Sequence, residues 1–208
     1  MPRRWIIVLK ITVWALCLCP VSLLAWKATH DLLGANPLSE ITLSTGHWTL
    51  YFLLITLALS PLRKITHLSW LIRFRRLVGL FAFFYGCLHL MTYLWFDKAF
   101  DFHEIVKDIY KRPFITAGMT AWLLMFPLAI TSTAASIRWL GGNRWQKLHR
   151  LIYASAVAGV VHFWWLVKRD LTRPEIVAVI LTLLLGFRLI DRFLTRRFPS
   201  SRPVVQES

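Results

Sequence analysis

Two stretches of this chain contain no Asp, Glu, Lys or Arg: residues 77–96 and residues 113–137. An apolar run of about 20 residues is what a helix needs to cross the hydrocarbon core of a bilayer. In lipid, a single segment satisfies its own backbone N–H and C=O groups only as a helix. These two runs therefore set the class of the whole molecule, an all-α integral membrane protein. Composition agrees, because 57% of the 208 residues are hydrophobic, against roughly half in a soluble domain.

Reading outward from those runs gives six spans, at 5–26, 43–62, 77–96, 114–134, 151–167 and 175–195. Lys10 stands near the start of the first span, where its stem can snorkel to the interface. Residues 2–26 have the basic start of a signal peptide (Arg3, Arg4). Their apolar stretch is long, Pro20 interrupts it, and no small-residue cleavage site follows, so the expectation is an uncleaved first helix. The sixth span is the least apolar. Only 176–187 is free of charge, and Arg188, Asp191 and Arg192 are expected to pair along one helix side and reach the headgroups.

The net charge of +15 is a topology signal. Segments 1–10, 63–76, 135–150 and 188–208 share one side of a six-span bundle and hold 17 of the 25 basic residues. Eight of the ten acidic residues fall on the other side. Basic loops stay in the cytoplasm, which puts both termini there. This accounting leaves no surplus charge for a nucleic-acid role. Residues 1–197 read as one transmembrane domain and 198–208 as a disordered cytoplasmic tail. Cys17, Cys19 and Cys87 lie in apolar runs and read as small hydrophobes.

With short loops, any chemistry has to come from the spans. His30, His47, His67 and His103 fall in loops or at span ends and read as solvated or interfacial. His89 and His162 lie inside charge-free spans, where an ionisable side chain points to function. Each lies about 17–18 Å from the cytoplasmic edge by helical rise. Two imidazoles facing one another in a bundle can serve as axial ligands of haem iron. Zn or Cu would want further ligands at that depth. A pair of helix–helix polar contacts is the plainer alternative. His149 stands 13 residues before His162 and about 140° around an ideal helix from it. It is a second candidate ligand, or a headgroup-level histidine beside Arg144, Lys147 and Arg150.

The stretches TG at 45–46, SPLRK at 60–64 and RRLVGLFAFFYGCLHLMTY at 75–93 continue into ITSTAASIRWLGGNRWQKLHRLIY at 130–153 and VVHFWWLVK at 160–168. In this order and spacing, the chain resembles the ferric-reductase-like transmembrane family, which includes NADPH oxidases. Within it, the chain is similar to the haem-binding membrane subunits of bacterial periplasmic methionine-sulfoxide reductase systems.

The resemblance implies haem b between the third and fifth spans, held by His89 and His162. It also implies location in the bacterial inner membrane and an FMN. The job implied is electron transfer from the quinone pool or a cytoplasmic flavin reductase to a periplasmic MsrP-like molybdopterin reductase that repairs oxidised methionine. The chain would be the relay and not the sulfoxide-reducing subunit.

The wider family often holds two haems. His149 and His162 keep that spacing, but Arg75 stands where the ligand before His89 would be, and His103 stands fourteen residues after it. For the flavin or a haem propionate the basic cytoplasmic loops offer Arg75, Arg76 and Arg144, with Trp145 after the turn Gly141-Gly142-Asn143 as a stacking ring. Alternatives from other classes are a quinone-linked cytochrome b serving another periplasmic reductase, and a non-redox transporter or scaffold.

Overall fold

The computed structural model describes residues 3–197; the tail reading for 198–208 lies outside them. Every regular element among the described residues is helical: α1 (Arg3–Thr29), α2 (Pro37–Thr66), α3 (Arg75–Met91), α4 (Phe102–Lys111), α5 (Pro113–Ile130), α6 (Ala134–Leu140), α7 (Gly142–Leu148), α8 (Leu151–Leu166) and α9 (Thr172–Arg197). A 3₁₀ turn (Ser69–Phe74) leads into α3, and a π-helical turn (Thr92–Asp97) extends it.

Among the described residues, four helices are long and apolar enough to cross a membrane: Arg4–Thr29, Pro37–Thr66, Ser69–Asp97 and Pro113–Ile130. The chain is a membrane protein. Helices also stand at the fifth and sixth expected spans. The former, α8, is only 16 residues long, and the latter, α9, carries the charged end noted above.

The second span starts six residues earlier than its hydropathy suggests. Asn36 caps α2 by accepting from the Ser39 amide at 3.0 Å, and Pro37 takes the first helical position, where its missing N–H costs nothing. Glu40 accepts from the Gly34 amide and pairs with Lys27, which ties the end of α1 to the start of α2.

α2 packs chiefly on α3 and α5 on α8, and both pairs meet in a shared core that includes Leu53, Leu57, Ala82, Tyr85 and Ala156. Two helix interruptions are closed by neighbouring helices. Pro20 disturbs α1, and the Tyr85 hydroxyl fills the gap. It donates to the Cys17 carbonyl at 2.9 Å and accepts from the Val21 amide at 3.0 Å. Pro61 disturbs α2 and leaves the Leu57 carbonyl without its i+4 amide. The guanidinium of Arg188 in α9 donates to that carbonyl and, at 2.9 Å, to the Tyr153 hydroxyl of α8.

The charges of α9 thus behave differently from expectation. Arg188 turns inward, Asp191 pairs with Lys64 of α2, and Arg192 lies over the Tyr153 ring. They join helices instead of pairing along their own, because a buried carbonyl in a low-dielectric interior gains more from a charged donor than headgroup water offers.

Candidate functional site

His89 on α3 and His162 on α8 come together, with ring centroids 5.9 Å apart and planes at 73°. Two imidazole–metal bonds of about 2 Å, with the ring radii added, put centroids about 6 Å apart, so this separation suits one ion between the rings.

Both rings are oriented by main chain. His89 Nδ1 lies 2.9 Å from the Thr42 carbonyl of α2, and His162 Nδ1 lies 2.6 Å from the Phe114 carbonyl of α5. A carbonyl only accepts, so Nδ1 carries the proton on each ring. Each Nε2 is left as a lone pair, the tautomer a metal ligand needs.

Glycine makes these approaches feasible, and the arrangement repeats. Four residues after Thr42 stands Gly46, where a Cβ would lie 3.0 Å from His89 Cε1. Four residues after Phe114 stands Gly118, where a Cβ would lie 2.8 Å from His162 Nδ1. Each imidazole lies on a helix surface that lacks a side chain and reaches back one turn to a carbonyl.

Both histidines line a cavity of about 490 Å³ between α2, α3, α5 and α8. That is within the usual range for cofactor sites. Gly46, Gly86, Gly118 and Gly159 thin its walls, and Leu50, Leu53, Trp122 and Met125 make them apolar. Among the described residues no group of three or more His, Cys, Asp or Glu could hold a metal ion. The donor set is two imidazoles in a largely apolar cavity, which suits a macrocycle that supplies its own remaining nitrogen donors.

His47 also lines the cavity, stacked on Tyr51 and edge-on to Phe163. The expected span 43–62 puts it near a span end, whereas α2 begins at Pro37, six residues before the apolar run. The signal that could have found it is the Asn36-Pro37 start, which puts His47 three turns inside the helix.

The other candidates lie elsewhere. His149 does not border this cavity. Its Nε2 meets the Thr131 hydroxyl at 3.1 Å and its ring stacks on Trp145 at 3.8 Å. Burial and the nearby Arg75 charge hold its pKa below the ordinary histidine value. The Trp145 indole N–H donates to the Thr131 carbonyl at 2.8 Å. Arg76 and Arg144 are exposed, and Arg75 is half-buried. His30, His67 and His103 are exposed, as expected.

The family model described as "Ferric reductase like transmembrane component" matches residues 45–160, more than half of the chain. A protein of Azospira oryzae, named protein-methionine-sulfoxide reductase heme-binding subunit MsrQ, is 52% identical over 98% of this chain and 89% of its own length. The chain belongs to the MsrQ family of ferric-reductase-like membrane proteins. Proteins of the same name from Herminiimonas arsenicoxydans and Ralstonia nicotianae are 51% and 48% identical over 87% and 91% of the chain, and over 84% and 88% of their own lengths. No solved structure matches it. The family's matched region holds Gly46, His89, Gly118 and His149, and ends two residues before His162.

Proposed function

We propose that this protein is the haem-binding, electron-transferring membrane subunit of a methionine-sulfoxide reductase system. The observation that carries the reading is the pair of imidazoles 5.9 Å apart, each with Nδ1 on a backbone carbonyl and Nε2 free at a cavity wall. Haem b, when bound, supplies a one-electron redox centre. His89 and His162 would hold it, with Thr42 and Phe114 fixing their tautomer, Gly46 and Gly118 making room for the rings, and the apolar walls keeping water out.

In this reading α1, α2, α3, α5, α8 and α9 are six spans of one domain covering residues 1–197, with both ends cytoplasmic in the bacterial inner membrane. The charge distribution along the sequence supports that orientation. Electrons come from the quinone pool or a cytoplasmic flavin reductase, and the acceptor is a periplasmic MsrP-like molybdopterin enzyme. The relatives' name supports the sulfoxide-reductase partnership. An FMN, implied by the resemblance alone, has Arg75, Arg76 and Arg144 as candidate phosphate partners. One face of Trp145 already rests on His149.

The test is optical. The purified protein should show a Soret band and reducible α and β bands, with one haem per chain by pyridine haemochrome. His89→Ala and His162→Ala should each remove them. A colourless protein from haem-replete cells would end the redox reading in favour of a transporter or scaffold.

A further inference from the structure

The cavity between the two histidines is not uniform along its length. Its inner end is bounded by Leu53, Gly86 and Met125, and its mouth by Asn36, Asp97 and Arg112, which sit at helix ends. Arg112 links α4 to α5, and its guanidinium is half-exposed.

A buried ion network holds Arg112 at that mouth. Asp108 is 5% exposed and accepts from Lys98 Nζ at 2.7 Å and the Tyr93 hydroxyl at 3.3 Å, while Arg112 Nε lies 3.4 Å from its other oxygen. The second carboxylate at the mouth, Asp97, is half-exposed and lies 3.9 Å from Lys98. The terminal nitrogens of Arg112 make no hydrogen bond among the described residues. A guanidinium steadied through Nε and open at its ends is suited to receive a carboxylate in two parallel hydrogen bonds.

We propose that Arg112 binds a propionate carboxylate of the macrocycle seated between His89 and His162, so that the cofactor's acidic edge faces the cavity mouth. This rests on the haem reading and adds the direction in which haem sits. The reverse orientation would put two carboxylates against Leu53 and Met125, where no donor compensates their desolvation. Asp108 is then a positioning residue, holding Arg112 by one edge and leaving the other for the ligand.

The experiment uses the full-length protein, made without haem and titrated in detergent with haem b and with its dimethyl ester, which lacks both carboxylate charges. Wild type should bind haem b about tenfold or more tighter than the diester, the range expected for a charge-assisted hydrogen bond. Arg112→Gln should lose that preference while keeping the bis-imidazole spectrum, and Arg112→Lys should keep part of it. Equal binding of both macrocycles by wild type, or an unchanged preference in Arg112→Gln, overturns the proposal and leaves the haem reading intact. If Arg112→Gln does not fold, wild type and Arg112→Lys decide by the same comparison. If neither macrocycle gives the bis-imidazole spectrum, both readings are overturned.

Discussion

Arg188 donates to the carbonyl of Leu57, the acceptor that Pro61 strands in α2. The arginine is half-buried and its Nε has no partner among the described residues, so the guanidinium is kept inside at a cost. Its contacts to α2 and α8 recover that cost by supplying a donor to a carbonyl on a residue with 0% exposure. Arg188→Met should destabilise the protein by about 1–2 kcal/mol in a wild-type background. In a Pro61→Ala background, where the amide returns, the same change should cost measurably less. Equal losses in the two backgrounds, from thermal unfolding in detergent, would separate Arg188 from the Pro61 interruption.

The two glycines behind the histidines give a graded prediction. A Cβ at 118 meets His162 Nδ1 itself at 2.8 Å, whereas one at 46 meets His89 at 3.0–3.1 Å. Gly118→Ala should therefore break the bond to Phe114 and shift the low-spin electron paramagnetic resonance signal strongly. Gly46→Ala should shift it less. Gly186→Ala, which meets nothing within 4 Å, should leave it unchanged. Identical spectra in all three variants would show that neither glycine sets ring geometry.

His149 should prove dispensable for the haem proposed to sit between His89 and His162, since it pairs with Thr131 and Trp145. His149→Gln should keep the absorption spectrum. Its pKa is depressed by burial and Arg75. Its contribution to stability is full above the unfolded histidine value near 6.5 and falls as pH drops through 6.5 towards the folded value. From pH 7.5 to 5, wild type should lose more melting temperature than His149→Gln. Parallel pH profiles would contradict this.

Asp108 gives the opposite case at the other end of the bundle. The hydrogen bond from Lys98 and the Arg112 charge hold its carboxyl below the ordinary value of 3.8. The stability it adds is complete above pH 3.8 and lost as pH falls through the lower folded pKa. Wild type should therefore lose more stability than Asp108→Asn between pH 5 and 3, read by unfolding in detergent. A steeper loss in Asp108→Asn would refute the sign.

What the letters carried and what they did not divides on physical lines. The charge-free runs 77–96 and 113–137 announced their helices because lipid tolerates little else there. His89 and His162 could be matched in depth from helical rise alone, and the fold brings them together. The Thr42 and Phe114 carbonyls were invisible, since a main-chain acceptor has the same chemistry at every position. The Arg188–Leu57 contact spans 131 residues, which no local pattern reaches. His47 was missed for a smaller reason, a helix start hidden behind the Asn36 cap. The π-helical turn at Thr92–Asp97, just past His89, had no readable signature either.

Anchoring both imidazoles to main chain has a consequence for how such a site can change. A side-chain anchor can be lost in one codon, whereas the carbonyls of Thr42 and Phe114 stay whatever residue occupies those positions. Wall residues such as Leu50, Trp122 and Met125 can then be exchanged, retuning polarity and water access, without turning either ring. Geometry is held by the backbone and tuning is left to the side chains, so the two can vary independently.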